Sequence, residues 1–342
     1  MPKLRDLWSR LVEFVGGLFR RAPPPPAPGA FVAGTKLSWR GFLATAPLIA
    51  PQREYLAYVP ARASSSWSWR RHPLVVLLHG CRQTPEVIAA ATRVPRLADA
   101  EELLVLLPRQ QPRANAWGCW NWFDAASAHG WGETAIVAEQ IRALRRGYRI
   151  DRRRVFVAGL SSGGALAAVL GLRRPDLVAG VFVHSGVACG AASSPYAALG
   201  VLMRGADTDT VRIGREARAA APPDALPVPL LVVQGAADDV VAPVNAAQLV
   251  RQYLAFNGHP AAAEGAPATL PPADRSSVET TAAGRSVTTS EWSVGARLVA
   301  RHVLVDTLGH AWSGGDASYP YNDENDPDAT ALLGAFVREV VQ

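Results

Sequence analysis

Cysteine is scarce in this 342-residue chain, which holds only Cys81, Cys119 and Cys189. Three cysteines allow at most one disulfide with a thiol left over, so a disulfide-built scaffold is excluded. No stretch approaches the roughly 18 consecutive apolar residues of a membrane-crossing helix, so none is expected. Lysine is nearly missing too, with two lysines among 35 basic residues. The net charge of +6 is unevenly placed: residues 1–71 carry eleven basic and three acidic side chains, a balance of +8, which leaves −2 on the other 271. A body that close to neutral lacks the basic footprint of a nucleic-acid binder, and nucleic acid is not an expected partner. There is no phosphate loop, dinucleotide fingerprint or metal-ligand spacing, so no cofactor and no metal are expected. What the chain does have is 49% hydrophobic residues, enough for a large core.

The chain divides by pattern into three parts. Residues 4–21 place Leu4, Leu7, Trp8, Leu11, Phe14, Val15 and Leu18 at helical spacing, with Arg5, Arg10, Glu13 and Arg20 between them. That spacing predicts an amphipathic helix over residues 1–21 with a basic polar face. Asp6, Arg10 and Glu13 interrupt the apolar stretch a secretory signal requires. Two readings of the helix stand: contact with a membrane or polymer surface, or packing on its own domain or a dimer partner. Residues 22–30, with Pro23 to Pro26 and Pro28, read as a stiff linker. Residues 31–342 read as one catalytic domain, with no second domain appended.

Within that domain, apolar runs recur at Pro73 to Leu78, Leu103 to Leu107, Val155 to Ala158, Val178 to His184 and Leu230 to Gln234. Such runs suit strands buried on both faces of a parallel sheet. Helical segments at Thr134 to Arg146 and Gly164 to Leu172 lie between them. The alternation predicts a doubly wound, mostly parallel α/β sheet with helices on both faces. The Ser64 to Trp69 stretch reads as a turn. Residues 258–290, rich in Ala, Pro, Thr and Ser, break the rhythm and read as an irregular insertion before a β segment from Thr288 to Val305.

One motif carries chemistry: Gly159-Leu-Ser161-Ser162-Gly163 follows an apolar strand and precedes a small-residue helix. A serine on a sharp strand-to-helix turn stands clear of the sheet, and flanking glycines let backbone approach closely, so Ser161 is the candidate nucleophile. A serine alcohol needs a base and an orienting acid, and in chains of this type the acid follows the serine and the base follows the acid. Asp238, in Gly235-Ala-Ala-Asp238-Asp239, is the candidate acid, with Asp239 expected to face solvent. His310, in Leu308-Gly-His310-Ala-Trp312, is the candidate base. His259 and His302 compete on order alone, but one sits in the irregular insertion and the other in a strand pattern. Oxyanion donors are expected from the backbone N–H of Ser162 and from the loop Leu78-His79-Gly80-Cys81-Arg82-Gln83, with Cys81 first and Arg82 next.

Taken in order, Leu78 to Gln83, Cys119-Trp120-Asn-Trp122-Phe123, Gly159 to Gly164, Gly235 to Asp238 and Gly309 to Gly315 resemble the polyhydroxybutyrate depolymerase-type esterases. That family, in the α/β-hydrolase superfamily, also includes feruloyl and acetylxylan esterases. The resemblance spans about Arg53 to Val341. It implies a serine esterase with Ser161, Asp238 and His310 at the triad positions and Cys81 at the oxyanion loop. The expected substrates are short-chain polyhydroxyalkanoate or 3-hydroxybutyrate esters, with feruloyl or acetylxylan groups as the alternative. A non-catalytic surface-binding protein on the same fold is the alternative of another class. The resemblance also implies a Cys81–Cys119 disulfide, against two reduced buried thiols, and an extracellular location. Among the tryptophans near these motifs, Trp120, Trp122 and Trp312 are candidates for a rim that holds the acyl group, against ordinary core packing.

Overall fold

The computed structural model describes residues 29–37, 52–63 and 70–340. The expected helix over residues 4–21, most of the linker and the turn at Ser64 to Trp69 lie outside the described residues.

The continuous apolar runs become the centre of one ten-stranded sheet. In chain order its strands are β1 (Ala30–Leu37), β2 (Gln52–Val59), β3 (His72–Leu78), β4 (Leu104–Pro108), β5 (Ile150–Leu160), β6 (Gly180–His184), β7 (Leu230–Gly235), β8 (Arg275–Thr280), β9 (Ser286–Val294) and β10 (Arg297–Val305). Across the sheet they run β1-β2-β4-β3-β5-β6-β7-β10-β9-β8. Strands β4 through β10 in that order are parallel, while antiparallel hairpins close both ends. Each parallel step needs a crossover, and helices supply it: α1 (Pro85–Ala91) and α2 (Val94–Glu101) join β3 to β4. The short α3 (Ala125–Ala128) and α4 (Gly132–Gly147) lead to β5. Next in the chain, α5 (Ser162–Arg173) follows β5, α6 (Pro195–Arg204) and α7 (Thr210–Ala220) follow β6, α8 (Val244–Phe256) follows β7 and α9 (Ala329–Glu339) ends the described chain.

Alternate residues of one strand serve opposite cores. Leu74, Val76 and Leu78 of β3 pack with α4, α5 and α8, while Val75 and Leu77 pack with α1, α2 and α9. Both faces are therefore covered by helices, which is why these strands read as unbroken apolar runs rather than as alternation. Helix α5 lies deepest: all its residues but Arg173 are buried, and its glycines and alanines let it sit close to the strands. None of the described helices is long and apolar enough to cross a membrane.

Two features place the chemistry. The chain goes outward from β3 to β4 and then back past β3 to β5, so the strand order reverses between β3 and β5. At such a point the loops leaving the carboxyl ends of two neighbouring strands diverge and leave a crevice. Here those loops carry Cys81 and Ser161, and the last registered pair before them is Leu78 with Gly159.

The expected irregular insertion over 258–290 needs correction. It contains a short 3-10 turn (Pro260–Ala263), all of β8 and the start of β9. Every residue of β8 is exposed, so no apolar period marks it, and its only cues are the β-branched Val278 and Thr280 on a polar edge strand.

Candidate active site

Ser161 stands on the turn from β5 into α5 with φ 57° and ψ −121°, a backbone conformation that L-residues rarely adopt. Two glycines make the turn feasible by close approach. A Cβ on Gly163 would lie 2.2 Å from the Leu78 carbonyl oxygen, and one on Gly159 would lie 2.4 Å from the Gly163 carbonyl. The Ser161 N–H donates to the His184 carbonyl at 2.9 Å, and its own carbonyl accepts the Ala165 N–H at 2.9 Å to begin the helix.

The candidate acid and base come together from loops 72 residues apart. His310 Nδ1 lies 2.9 and 3.1 Å from the two carboxylate oxygens of Asp238, and both side chains are almost wholly buried. Asp238 Oδ1 also accepts the Val240 and Val241 backbone N–H groups at 3.0 and 2.8 Å, and Oδ2 accepts the Gln234 amide at 3.2 Å. Burial by itself raises the Asp238 carboxyl, but His310, the Val241 N–H and the Ser185 hydroxyl outweigh it and hold the carboxyl below its ordinary range. Asp239 faces solvent. The acid and base loops are joined through backbone: the Ala237 N–H donates to the Leu308 carbonyl at 3.1 Å, and a Cβ on Gly235 would lie 2.0 Å from that oxygen. The structure records no hydrogen bond between His310 Nε2 and Ser161 Oγ. Such contacts often tighten only when substrate is bound.

The competing histidines stand elsewhere. His302 is buried inside β10, where desolvation pushes its imidazole down to about 4. His259 begins the 3-10 turn and pairs with Asp274 at 3.2 Å.

Across the crevice, the loop after β3 passes over the candidate nucleophile. A Cβ on Gly80 would sit 3.6 Å from the Ser161 Cβ. Among the described residues, neither the Cys81 nor the Ser162 backbone N–H has a protein acceptor, which leaves two donors at the mouth of the turn. Cys81 is joined to Cys119 by a disulfide, and closing 38 residues in this way destabilises the unfolded chain by about 4 kcal/mol in the loop-entropy account. Cys189 is a buried free thiol.

The segment beyond Cys119 is held by a residue that nothing in the motif pattern singles out. Glu133, buried at the start of α4, accepts the Asn121 backbone N–H at 2.6 Å, the Asn121 amide at 3.0 Å and the Gln110 amide at 2.5 Å. Gln110 also donates to the Cys119 carbonyl at 2.8 Å. Only an acidic residue in a first helical turn hints at this in the sequence, and that is common as simple dipole matching.

The tryptophan rim is a correction. Trp120, Trp122 and Trp312 are buried in the two cores. Trp120 Nε1 donates to the His79 carbonyl at 3.0 Å and Trp312 Nε1 to Thr330 Oγ1 at 3.1 Å, so their polar atoms face inward partners. Large rings at these positions fill volume between sheet and helices, and satisfied indole N–H groups are what let them do so. Trp117, whose carbonyl accepts the Arg82 N–H of the loop after β3, is 63% accessible, with the Arg82 guanidinium 4.8 Å from its ring centroid. Among the described residues, no group of three or more His, Cys, Asp or Glu side chains is placed to hold a metal ion.

Comparison with known proteins follows this geometry. Residues 54–270 match the family described as Esterase PHB depolymerase. Poly(3-hydroxyalkanoate) depolymerase C of Paucimonas lemoignei is 31% identical over 188 residues, which is 54% of this chain and 45% of that protein. Feruloyl esterase B of Neurospora crassa is 28% identical over 203 residues, 57% of this chain and 67% of that one. The chain spans less than half the length of the Paucimonas lemoignei depolymerase and of a poly(3-hydroxybutyrate) depolymerase of Ralstonia pickettii, which is also 31% identical. Among solved structures, an acetyl xylan esterase from Aspergillus awamori superposes with a TM-score of 0.64 over 82% of this chain and 94% of that one, at 19% identity. An S-formylglutathione hydrolase from Agrobacterium tumefaciens reaches 0.53 over 92% and 96%, at 16% identity. The architecture they share with this chain is the α/β-hydrolase fold.

Proposed function

The chain belongs to the polyhydroxybutyrate-depolymerase esterase family, and on that premise we propose that it hydrolyses carboxylic esters through an acyl-enzyme on Ser161. His310 Nε2 takes the proton of Ser161 Oγ as the oxygen attacks the ester carbonyl carbon. Asp238, hydrogen-bonded to Nδ1, fixes the tautomer and holds the imidazolium that forms. The carbonyl oxygen becomes an oxyanion between the Cys81 and Ser162 N–H groups, each such donor being worth roughly 2.7–4 kcal/mol in the transition state. When the intermediate collapses, the alcohol leaves with the proton from His310. A water molecule then repeats the sequence on the acyl carbon, which releases the acid and restores the serine hydroxyl.

The observation that carries this reading is the buried His310–Asp238 pair, brought by the β7 and β10 loops to the same sheet edge as a strained Ser161. A surface-binding protein without turnover has no use for that strain or for two unpaired backbone donors beside it. The preferred substrates are short-chain hydroxyalkanoate esters, 3-hydroxybutyrate oligomers first, as the names of the depolymerase relatives suggest. The feruloyl or acetylxylan reading keeps the same chemistry and is supported by the likeness to feruloyl esterase B.

A panel of p-nitrophenyl acetate to octanoate, 3-hydroxybutyrate oligomers and methyl ferulate separates these readings. Hydrolysis of the short acyl esters and the oligomers, with kcat/KM at least tenfold above that for methyl ferulate, is the expected result. Turnover of methyl ferulate alone would replace the substrate class with the aromatic one, and no turnover of any ester would overturn the esterase reading.

A further inference from the structure

We infer that Arg82, lying over the Trp117 ring, is a specificity-determining residue that binds a carboxylate on the alcohol side of the ester, the free acid end of a hydroxyalkanoate oligomer. This rests on the reading of Ser161 as the nucleophile and of the Cys81 N–H as an oxyanion donor.

The loop after β3 places a cation one residue beyond that donor and fixes its backbone. Arg82 has φ 61°, a left-handed conformation that a residue other than glycine adopts at a cost. Its N–H donates to the Trp117 carbonyl at 2.9 Å, so Arg82 is not itself an oxyanion donor. The Cys81–Cys119 disulfide joins the two loops beside the nucleophile turn. Cys81 Sγ lies 3.4 Å from Ser162 Oγ, and the Trp120 N–H donates to that hydroxyl oxygen at 3.3 Å. The platform under the cation is held as firmly. The Trp117 N–H donates to Asn115 Oδ1 at 2.9 Å, the Asn115 amide donates to Asn121 Oδ1 at 2.9 Å, and Asn121 donates to the buried Glu133.

What this framework presents to solvent is unpaired. Arg82 and Trp117 are both exposed, with the guanidinium 4.8 Å from the ring centroid. The donors of a guanidinium lie in its plane, so resting on a ring leaves them available to a ligand. Among the described residues no side chain or carbonyl accepts from the Arg82 guanidinium. Glu86, the acid nearest to it in sequence, pairs with Arg109, and Asp124, the acid nearest to Trp117, caps α3. An exposed cation–π contact contributes little to folding, whereas a rigidly held planar cation beside an oxyanion donor suits a carboxylate, which takes two parallel N–H bonds.

The substrate class proposed above carries such a group. Each acid in a hydroxyalkanoate chain is esterified by the hydroxyl of the next unit, so the last unit keeps a free carboxylate. When the ester before it is cut, that unit is the leaving alcohol, and its carboxylate stands close behind the leaving oxygen. With the carbonyl oxygen on the Cys81 N–H and the carboxylate on Arg82, the last unit is oriented for proton transfer from His310. An acetyl or feruloyl ester of a neutral sugar has no carboxylate to offer, so the arginine favours the hydroxyalkanoate class.

The test uses two 3-hydroxybutyrate dimers, each with a single ester bond, one ending in the free carboxylate and the other in a carboxamide. Wild-type kcat/KM should favour the carboxylate by about tenfold or more, as a two-point charge-assisted contact does. That preference should shrink as salt rises from about 0.02 to 0.5 M, because the pair is exposed. Arg82→Gln should bring the ratio to within about twofold of one, and Trp117→Ala, which removes the platform, should lower it by about threefold or more. Both side chains are exposed and glutamine carries the same backbone strain at φ 61°, so both variants stay folded. Calorimetric titration of Ser161→Ala with the two dimers should show the same preference in Kd. A wild-type ratio near one, or a preference that Arg82→Gln leaves unchanged, would overturn the inference while leaving the serine reading intact. Failure of that reading shows separately, as ester hydrolysis that survives Ser161→Ala.

Discussion

Ser161→Ala abolishes ester turnover, with kcat falling by about 10⁴-fold or more while the thermal midpoint stays within a few degrees of wild type. The size follows from what is removed: the nucleophile of a unit whose members act together, so that losing one costs nearly as much as losing all. The double variant Ser161→Ala/His310→Ala should therefore be no slower than either single one. Asp238→Asn, which keeps the shape but disturbs the tautomer of His310, should also lower kcat steeply, by about 10⁴-fold. Stability behaves differently. Alanine at φ 57° carries the same backbone strain as serine, so folding is little changed, whereas Ser161→Gly relieves strain of about 1–3 kcal/mol and should raise the midpoint. Steady-state rates and circular-dichroism melts of the four single variants (Ser161→Ala, Ser161→Gly, His310→Ala and Asp238→Asn) and the double variant check this. Folded Ser161→Ala protein with a rate near wild type would remove serine catalysis altogether.

Mild acid is expected to destabilise the fold well above the range where carboxylates are protonated. His79, His184 and His302 are buried, and desolvation lowers their imidazoles to about 4, 3 and 4. An unfolded histidine titrates near 6.5, so between roughly pH 6.5 and 4 the unfolded chain binds protons that the folded one does not. Stability from these groups is complete above the unfolded value and is lost as pH falls below it, at about 1.4 kcal/mol per unit for each group. Glu133 acts in the opposite sense: burial raises its carboxyl despite the Gln110 and Asn121 donors, so above about 4.5 the folded state holds a proton that the unfolded state has lost. Asp238, with its carboxyl held low, contributes only at lower pH. The three histidines outnumber the one opposing carboxyl, so stability is expected to fall as pH drops below about 6, each histidine contributing up to about 1.4 kcal/mol per unit. Urea midpoints at pH 7, 6 and 5 measure it; a midpoint unchanged from pH 7 to 5 would contradict the account.

These two expectations draw on residues of very different legibility. Ser161, Asp238 and His310 stand out because catalysis confines them to loops after buried strands, and buried parallel strands read as unbroken apolar runs. The geometry of Gly159 and Gly163 is legible for the same reason, since close backbone approach admits no other residue there. Exposed edge structure is not legible: β8 has solvent on both faces, so nothing in Arg275 to Thr280 alternates. The tryptophans mislead in another way. An aromatic near a motif is equally apt for a substrate rim or for the packing beneath it, and only the fold decides, here putting Trp120, Trp122 and Trp312 below the surface and Trp117 on it. Glu133 escapes notice because it acts through other residues, and a supporting hydrogen bond leaves no spacing in the sequence.

The central claim is that Ser161 is the atom-bearing nucleophile, and covalent trapping addresses it without reference to any particular substrate. Treatment of the protein with a fluorophosphonate, followed by intact-mass and peptide-mapping spectrometry, should give a single adduct on the peptide carrying Ser161. Ser161→Ala should give none, and labelling should be slowed by His310→Ala. An adduct on Ser162 or Ser185, or labelling that persists in Ser161→Ala, would contradict it.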